Sequence, residues 1–423
     1  MKERVVITGL GVVSPNGVGI DNFALAIRNG ISGIRFVPEM ERLGFSCQIA
    51  GQPVLSEEKV ASYFTPLQLK GFNSNGILYG IIAGIDAWKN AGLPLDTDDA
   101  DWDSGCLFGT GTSGVDKFRE AIYKLDEGKV RRLGSTTVQQ TMASGVSAYL
   151  GGMLSLGNQV STNSSACITG TESILLGYER ILAGKAKRML VGSCSDASPY
   201  LWGGFDAMKV CTYKHNNAPE EGSRPMSASA SGFVPGSGAG AMVIESLESA
   251  IERKATIYAE IAGGHVNSGG QTNGGSMTAP NSIAVQRCIR EALKDAKVHA
   301  RQIDAINGHL TATSKDPTEI ENWAMALERS GDDFPYVNSL KSMVGHALAA
   351  SGSIECVASV LQLHHGFLFP NINCEDIHPE ITDLIAEERI VRSVIEKKLE
   401  YVAKASFGFG DVNGCIIFKS FKN

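Results

Sequence analysis

The sequence lacks the cysteine arrangements that mark a zinc site or a disulfide scaffold. Its nine cysteines are scattered over 423 residues, none lies in a Cys-x-x-Cys pair, and their number is odd. Reduced thiols in a cytoplasmic protein explain this pattern best. We therefore predict a cytoplasmic protein without a structural metal.

Long apolar runs and an excess of positive charge are also absent. No apolar segment approaches the roughly 20 residues that a transmembrane helix needs. The formal net charge of −7 argues against nucleic acid or an anionic membrane as the main partner. The N-terminal segment is similar to a short signal peptide, but glycines and Pro15 fall within its apolar part, so it is better interpreted as a first strand and turn.

What the sequence does contain is a repeated succession of β-branched runs, glycine-rich turns and helical stretches. This succession is typical of an α/β architecture with largely buried sheets. The predicted strands are Val5 to Gly9, Leu107 to Gly111, Met189 to Gly192, Ala241 to Glu245, Tyr258 to Ala262 and Cys415 to Lys419.

A faint internal repeat indicates two similar halves. The stretch from Asp86 to Leu93 is similar to that from Glu291 to Val298, and a strand with glycine follows each of them. A chain of this length also exceeds one compact layer of structure. We predict an N-terminal half over residues 1–250 and a C-terminal half over residues 251–423, because a polar segment near residues 247–256 separates two strand patterns.

Cys167 is the candidate nucleophile. It follows a turn of small polar residues and directly precedes a predicted helix that ends at Gly184. Unpaired N–H groups and the helix dipole at such a position favour a thiolate. The alternative is a buried structural cysteine, which suits Cys194, Cys288, Cys356 and Cys415 better because these lie within helix or strand patterns.

His309 and His346 are the candidate partners of this cysteine. Each is predicted at a junction between a short strand and a helix, with small residues around it. A lone histidine in that context is more often a capping or core residue. Two of them together with a cysteine suit thioester chemistry, in which imidazole N–H groups stabilise an enolate.

Several motifs together give the chain a specific resemblance to type II β-ketoacyl-acyl-carrier-protein synthases. They are the opening RVVITGLGVVSPNG, Ser165-Ala-Cys167, Gly232 to Gly240, the segment Lys341 to His346 and the loop Ser406 to Gly410. The resemblance covers nearly the whole chain. It implies the thiolase-like fold, a duplicated five-layer αβαβα core, usually assembled as a homodimer.

The resemblance also implies residue roles. Cys167 accepts the acyl group, and His309 and His346 bind the extender thioester and support its decarboxylation. Lys341, Asp316 and Glu319 resemble a charged cluster that orders the site, and Thr311 and Thr313 match threonines that hold the pantetheine arm. Phe407 matches the residue that gates the acyl pocket and donates its N–H to the oxyanion hole, and Phe108 matches a residue that lines that pocket. The implied partner is acyl carrier protein, whose phosphopantetheine arm carries the substrates, and no cofactor is implied.

The chain departs from the family pattern at a few positions. Leu310 stands where glycine is usual after the histidine, so the turn there is expected to be rebuilt. Ser237 replaces an acidic residue, the segment 226–231 lacks expected charges, and Asp411 stands where a second glycine is usual. These changes affect the expected substrate class more than the chemistry.

Four other protein classes share part of this pattern. A thiolase would need a second catalytic cysteine, for which Cys415 in a strand pattern is the only candidate, and a cysteine hydrolase would not need a second histidine. A non-catalytic subunit resembling a chain-length factor generally lacks the nucleophile. A ketosynthase of polyketide or aryl-polyene assembly would keep every catalytic residue and stays open.

For the acidic carrier protein, the predicted docking patch is Lys129, Arg131 and Arg132, with Lys70 as a further candidate.

Overall fold

The computed structural model describes residues 3–95 and 97–422. The strands are β1 Val5–Ser14, β2 Gly17–Val18, β3 Ile34–Phe36, β4 Ile49–Gly51, β5 Ser104–Thr110, β6 Val160–Ser161, β7 Arg188–Ser195, β8 Gly238–Ser246, β9 Ala259–Ser268, β10 Ala305–Asn307, β11 Tyr336–Asn338, β12 Phe367–Leu368, β13 Ile395–Glu396, β14 Tyr401–Gly408 and β15 Val412–Lys419. All six strands predicted from the sequence are present, and β1 replaces the signal-peptide interpretation.

The helices alternate with these strands over most of the chain. They are α1 Ile20–Arg28, α2 Pro38–Arg42, α3 Glu57–Ala61, α4 Pro66–Leu69, α5 Asn75–Asn90, α6 Val115–Asp126, α7 Thr137–Thr141, α8 Gly145–Met153, α9 Thr169–Leu182, α10 Pro199–Ala207, α11 Leu247–Glu252, α12 Ser282–Ala296, α13 Asp316–Leu327, α14 Lys341–Val344, α15 Ser351–His365 and α16 Pro379–Thr382. Within the described residues, no helix has the length and apolar character needed to cross a membrane.

Ten of the eleven strands of the main sheet form two five-stranded halves with the same internal order, and β2 pairs with β1 beside them. One half runs β1-β8-β7-β5-β6 and the other β9-β15-β14-β10-β11. In each half the last three strands are mutually parallel and the first two are antiparallel to their neighbours. The matched order supports the internal repeat that the sequence indicates. The halves join where Val5–Ile7 of β1 pairs with Ala259–Ile261 of β9.

Helices cover both halves of the sheet and fill the space between them. On the outside, α5 packs on β1, β8 and β7, and α12 packs on β9 and β15. On the inside, α9 and α15 contact each other and strands of both halves. A Cβ at Gly170 would meet the backbone N of Ser353 at 2.3 Å, so this glycine is what allows the two central helices to approach so closely. The prediction of a division at residue 250 stays a prediction.

The two central helices occupy corresponding positions in the repeat. The segment that leads into α9 follows β6, and the segment that leads into α15 follows β11, the outermost strand of the other half. The sequence predicts a helix from Ala347, whereas α15 begins at Ser351, because Leu348 has a positive φ of 51° and starts a separate 3₁₀ turn. These two equivalent junctions carry Cys167 and His346.

Candidate active site

Cys167 lies in a 3₁₀ turn, Ala166–Ile168, directly before α9, as its position in the sequence predicts. It is partly exposed to a cavity of about 580 Å³. Burial raises the pKa of its thiol to about 11, although Lys341 and the N–H groups of Phe409 and Cys167 act to lower it. The helix start therefore does not make the thiolate the main form of the free protein, because desolvation outweighs it.

His309 and His346 reach the same cavity from the other half of the chain. His309 follows β10 and His346 follows α14. The sulfur of Cys167 and one ring nitrogen of each histidine lie within 4.8 Å of one another. The two imidazole rings meet edge to face, with centroids 5.4 Å apart. The structure thus brings together the three side chains that the sequence singles out.

Both imidazoles are held in the neutral form. Burial, together with the nearby positive charge of Lys341, keeps the pKa of His309 and of His346 well below the usual value. In His346, Nδ1 accepts the N–H of Leu348 at 3.2 Å and lies 2.9 Å from Oγ of Ser351. Because Nδ1 is an acceptor, the ring proton of His346 is on Nε2.

Asp316 and Glu319 hold the backbone of the loop that carries His309. Glu319 accepts the N–H groups of His309 and Leu310, each at 2.7 Å, and Asp316 accepts that of Thr311 at 2.9 Å. Burial raises the pKa of Asp316 to about 6 and that of Glu319 to about 7, against the effect of these hydrogen bonds. Their role is to order this loop.

Lys341 forms an ion pair with a residue that the sequence interpretation did not name. Within residues 3–95 and 97–422, its ammonium group pairs with Glu355 and not directly with Asp316 or Glu319, although the charge of Glu319 also acts on it. A second buried lysine, Lys404, pairs with the other carboxylate oxygen of Glu355 at 2.8 Å. The sequence interpretation missed Glu355 and Lys404. Each is a single charged residue within an apolar stretch of a helix or strand, and this isolation is the feature by which the sequence could have revealed them.

Thr311 and Thr313 line the cavity, and their hydroxyl oxygens lie 3.1 Å apart. Phe407 also lines it, but its place in β14 differs from the expected one in a loop. Its ring packs against His309, with centroids 6.0 Å apart. The N–H group beside the sulfur of Cys167 belongs to Phe409, so the expected oxyanion-hole role passes from Phe407 to Phe409. The SFGFG motif offers both phenylalanines, and the sequence interpretation chose the wrong one.

In the turn after His309, Leu310 is not the residue that takes the left-handed conformation, and the expectation that this turn is rebuilt stays a prediction. Leu310 does not have a positive φ, and its side chain is fully buried in the core of the second half. The left-handed residue is Ala312, with a φ of 62°. The left-handed position of this turn is thus Ala312, and Leu310 serves as core.

Phe108 lies elsewhere than the sequence interpretation placed it. It is fully buried on β5, where its ring packs over Gly80 of α5 and Gly192 of β7. Its neighbour Gly109 faces Thr169 of α9, so Phe108 points to the opposite face of the sheet from the helix of Cys167. The prediction that Phe108 lines the acyl pocket is wrong, because successive strand residues point to opposite faces.

The predicted basic patch lies at the surface after α6. Arg131, Arg132 and Lys70 are exposed, and Lys129 pairs with Glu127 at 2.6 Å. The patch is therefore accessible from solvent, and its proposed role in docking stays a prediction.

Comparison with known proteins then identifies the family. A model described as the beta-ketoacyl synthase N-terminal domain matches residues 2–250, and one described as the C-terminal domain matches residues 258–375. The chain belongs to the beta-ketoacyl synthase family. The fold expected from the resemblance is confirmed by a beta-ketoacyl synthase from Burkholderia phymatum STM815, with a TM-score of 0.89 at 28% identity, over 99% of this chain and 100% of that one.

Two other beta-ketoacyl synthase relatives inform the function. The 3-oxoacyl-acyl-carrier-protein synthase 1 of Escherichia coli K12 is 31% identical over 100% of both chains. A ketosynthase in the complex AntDE:AntF, described as a type II polyketide acyl-carrier protein with its ketosynthase bound to a hexaketide, has a TM-score of 0.87 at 27% identity over 100% of both chains. The relatives thus include a 3-oxoacyl-acyl-carrier-protein synthase and the ketosynthase of a type II polyketide system.

Proposed function

We propose that this chain is a β-ketoacyl-acyl-carrier-protein synthase that joins an acyl thioester to malonyl-acyl-carrier protein by decarboxylative Claisen condensation. The single observation that carries the proposal is the convergence of Cys167, His309 and His346 within 4.8 Å on one cavity. The names of the full-length relatives support it.

In the first half-reaction, the sulfur of Cys167 attacks the acyl thioester and releases the carrier thiol. The N–H groups of Cys167 and Phe409 are the donors for the oxyanion of the tetrahedral intermediate, since both lie beside the sulfur. A thiol whose pKa is about 11 must lose its proton as it reacts, and the positive charge of Lys341 stabilises the thiolate that forms.

In the second half-reaction, the malonyl thioester loses carbon dioxide and its enolate attacks the acyl-cysteine carbonyl. The N–H on Nε2 of His346 is one donor to the enolate oxygen. His309 is the other, and its Nδ1 has no hydrogen-bond partner among the described residues. The thiolate of Cys167 then leaves and takes up a proton from solvent, which yields the β-ketoacyl thioester and regenerates the thiol.

Acyl carrier protein is the proposed partner, by analogy with the complex of the polyketide ketosynthase. We also propose a homodimer. Two features support this proposal. The strand β6 lies at an edge of the sheet. Apolar side chains are exposed on α6 and the segment after it, namely Phe118, Ile122, Tyr123, Leu125, Val130 and Val138. Light scattering should give twice the mass of 44.9 kDa, and a monomer would contradict the proposal.

The proposed reaction needs neither a metal nor a cofactor. The cysteine and the two histidines are close enough to bind one ion, but such an ion would occupy the nucleophile. Turnover should therefore survive EDTA, and loss of activity that Mg²⁺ or Zn²⁺ restores would contradict this part of the proposal. The nine free cysteines fit a reducing compartment, so we propose a cytoplasmic location.

The decisive experiment compares Cys167→Ala with Cys374→Ala, in which a buried cysteine outside the cavity is replaced. Intact-protein mass spectrometry after incubation with mixed acyl carriers should show an acyl adduct on the wild type and on Cys374→Ala, and none on Cys167→Ala. The mass of the trapped group distinguishes fatty-acid from polyketide primers. If the wild type forms no adduct, the chain is a non-catalytic subunit of the chain-length-factor kind.

A further inference from the structure

The residue before the nucleophile has a strained backbone. Ala166 has a φ of 49°, in the left-handed region that residues other than glycine rarely adopt. The backbone of Ala166 sets the direction of the next peptide N–H, which is that of Cys167. This N–H is one of the two donors beside the sulfur. A strained residue persists only where the surrounding structure holds it in place, so the contacts of this turn indicate what directs the donor.

Thr169, the first residue of α9, holds the turn from the helix side. Its Oγ1 accepts the N–H of Ser165 at 2.9 Å and donates to the carbonyl oxygen of Ala166 at 2.6 Å. The carbonyl of Ala166 and the N–H of Cys167 belong to one planar peptide group. A hydrogen bond that fixes this oxygen therefore also fixes the direction of the N–H.

Glu172 holds the segment that leads into the turn. One of its carboxylate oxygens accepts from Oγ of Ser165 and also from Nδ2 of Asn163, the latter at 2.8 Å. Nδ2 of Asn163 donates as well to the carbonyl oxygen of Thr169 at 3.1 Å, and its Oδ1 accepts the hydroxyl of Ser173 at 2.6 Å. The residues on both sides of the strained position are thus tied to the first turn of α9.

A carboxylate in the first turn of a helix is favourable in any case, because it faces the positive end of the helix dipole. That general role does not require side-chain donors from the preceding segment. Glu172 has two such donors, Ser165 and Asn163, and both lie before Ala166. Glu172 itself does not line the cavity, so it can act on the reaction only through the turn.

We propose that Glu172 is a positioning residue, whose carboxylate holds Ser165 and Asn163 against α9 and thereby keeps the N–H of Cys167 directed at the oxyanion. This inference deepens the proposed function and rests on it, because that oxyanion forms when Cys167 takes up the acyl group. The enolate of the malonyl group is stabilised by the two histidines instead. Loss of the Glu172 contacts should therefore slow acyl transfer and leave malonyl decarboxylation nearly unchanged.

The test uses two variants that separate hydrogen bonding from charge. Glu172→Gln removes the charge and retains an oxygen that can accept both donors, whereas Glu172→Ala removes the charge and the acceptor. The matched control is Glu179→Ala, because Glu179 lies further along the same helix and does not line the cavity. Acyl transfer is followed by quenched-flow mass spectrometry of the acyl-enzyme, and malonyl decarboxylation by the release of carbon dioxide.

Glu172→Ala should lower the rate of acyl transfer about tenfold or more, since an oxyanion donor is misdirected, and should change malonyl decarboxylation by less than about twofold. Glu172→Gln and Glu179→Ala should form the acyl-enzyme at close to the wild-type rate. Adding Ala166→Gly to Glu172→Ala should restore most of the lost rate, because glycine adopts a positive φ without strain.

Equal losses in Glu172→Gln and Glu172→Ala would overturn the hydrogen-bond role and leave only the charge at the helix start. Equal losses in both half-reactions, or no rescue by Ala166→Gly, would overturn the link to the strained turn. If Glu172→Ala does not fold, Ser165→Ala takes its place, because it removes the hydroxyl that Glu172 accepts.

A crystal structure of Glu172→Ala tests the turn without any substrate. The φ of Ala166 should become negative there, and an unchanged left-handed φ would overturn the proposal. If the wild type forms no acyl-enzyme, the proposed function is refuted instead, and this backbone angle still decides whether Glu172 holds the turn.

Discussion

Asp411 should fix one wall of the substrate cavity, and its replacement by glycine should loosen that wall. Asp411 is fully buried and has a left-handed φ of 60°. Its carboxylate accepts the N–H of Gln271 at 2.9 Å and that of Asn281 at 2.8 Å. The loop between these two residues lines the cavity through Asn273, Gly274 and residues 278–280. Asp411 therefore connects the loop of Phe409 to the 271–281 loop.

The magnitude follows from two opposed contributions. Hydrogen bonds to a charged group contribute about 1.5–3 kcal/mol each, so the loss of two costs about 3–6 kcal/mol. A glycine relieves about 1–2 kcal/mol of left-handed strain. The net loss of about 1–5 kcal/mol falls on the 271–281 loop. It should raise the population of the open loop by a factor of about 5 or more.

The assay separates binding from chemistry. In Asp411→Gly, KM for the carrier-bound acyl substrate should rise more than kcat falls, and limited proteolysis should cut the 271–281 loop faster. The control is Lys297→Gly, which relieves a left-handed φ of 55° at an exposed helix end and loses no carboxylate. If Asp411→Gly is stabilised as Lys297→Gly is, and its KM is unchanged, the carboxylate does not hold the loop and the reasoning is refuted.

Four further predictions can be checked directly. Leu310→Gly, which restores the usual family residue, should destabilise the protein by about 2–5 kcal/mol in urea unfolding, because a fully buried leucine is lost; a gain in stability would contradict this. Alkylation of Cys167 by iodoacetamide should rise about tenfold per pH unit between pH 7 and pH 9, since its thiol pKa is about 11 and the thiolate fraction grows with pH below that value; a plateau near pH 7 would refute the raised pKa. Charge reversal at Arg131 and Arg132 should slow turnover of carrier-bound substrates, more so at low salt, and leave turnover of small thioesters unchanged; a salt-independent result would show that this patch does not dock the carrier protein. Phe108→Ala should cost about 3–5 kcal/mol of stability without extending the accepted acyl chain; acceptance of longer acyl groups by this variant would show that Phe108 lines the acyl pocket.

The strand pattern and the two helix junctions could be predicted from the sequence, because they depend on local features. Alternating β-branched runs, a glycine at the end of a helix and small residues around Cys167 are visible in a single chain. The same local character made the position of His309 and His346 after short strands predictable. Their convergence depends on the repeated order of the two half-sheets, which the sequence indicates only faintly.

The assignments of Phe108 and Phe407 failed for a different reason. The direction of the Phe108 ring depends on the register of β5, and the choice between Phe407 and Phe409 depends on where β14 ends. Neither quantity is encoded by residue type alone, since a shift of one residue reverses the face. Glu355 was missed because a buried ion pair joins residues that are far apart in sequence.

The pairing of β1 with β9, which joins the two halves of the sheet, has a consequence for how the chain can be divided. It consists of three residue pairs, and the connection from α11 to β9 crosses from one half to the other through residues 253–258. The nucleophile lies before this connection and both histidines lie after it. Two fragments cut there would each carry an incomplete set of reacting groups. Because α9 and α15 pack against each other and against both half-sheets, the fragments should recognise each other through this interior, and recovery of turnover on mixing would measure their reassembly.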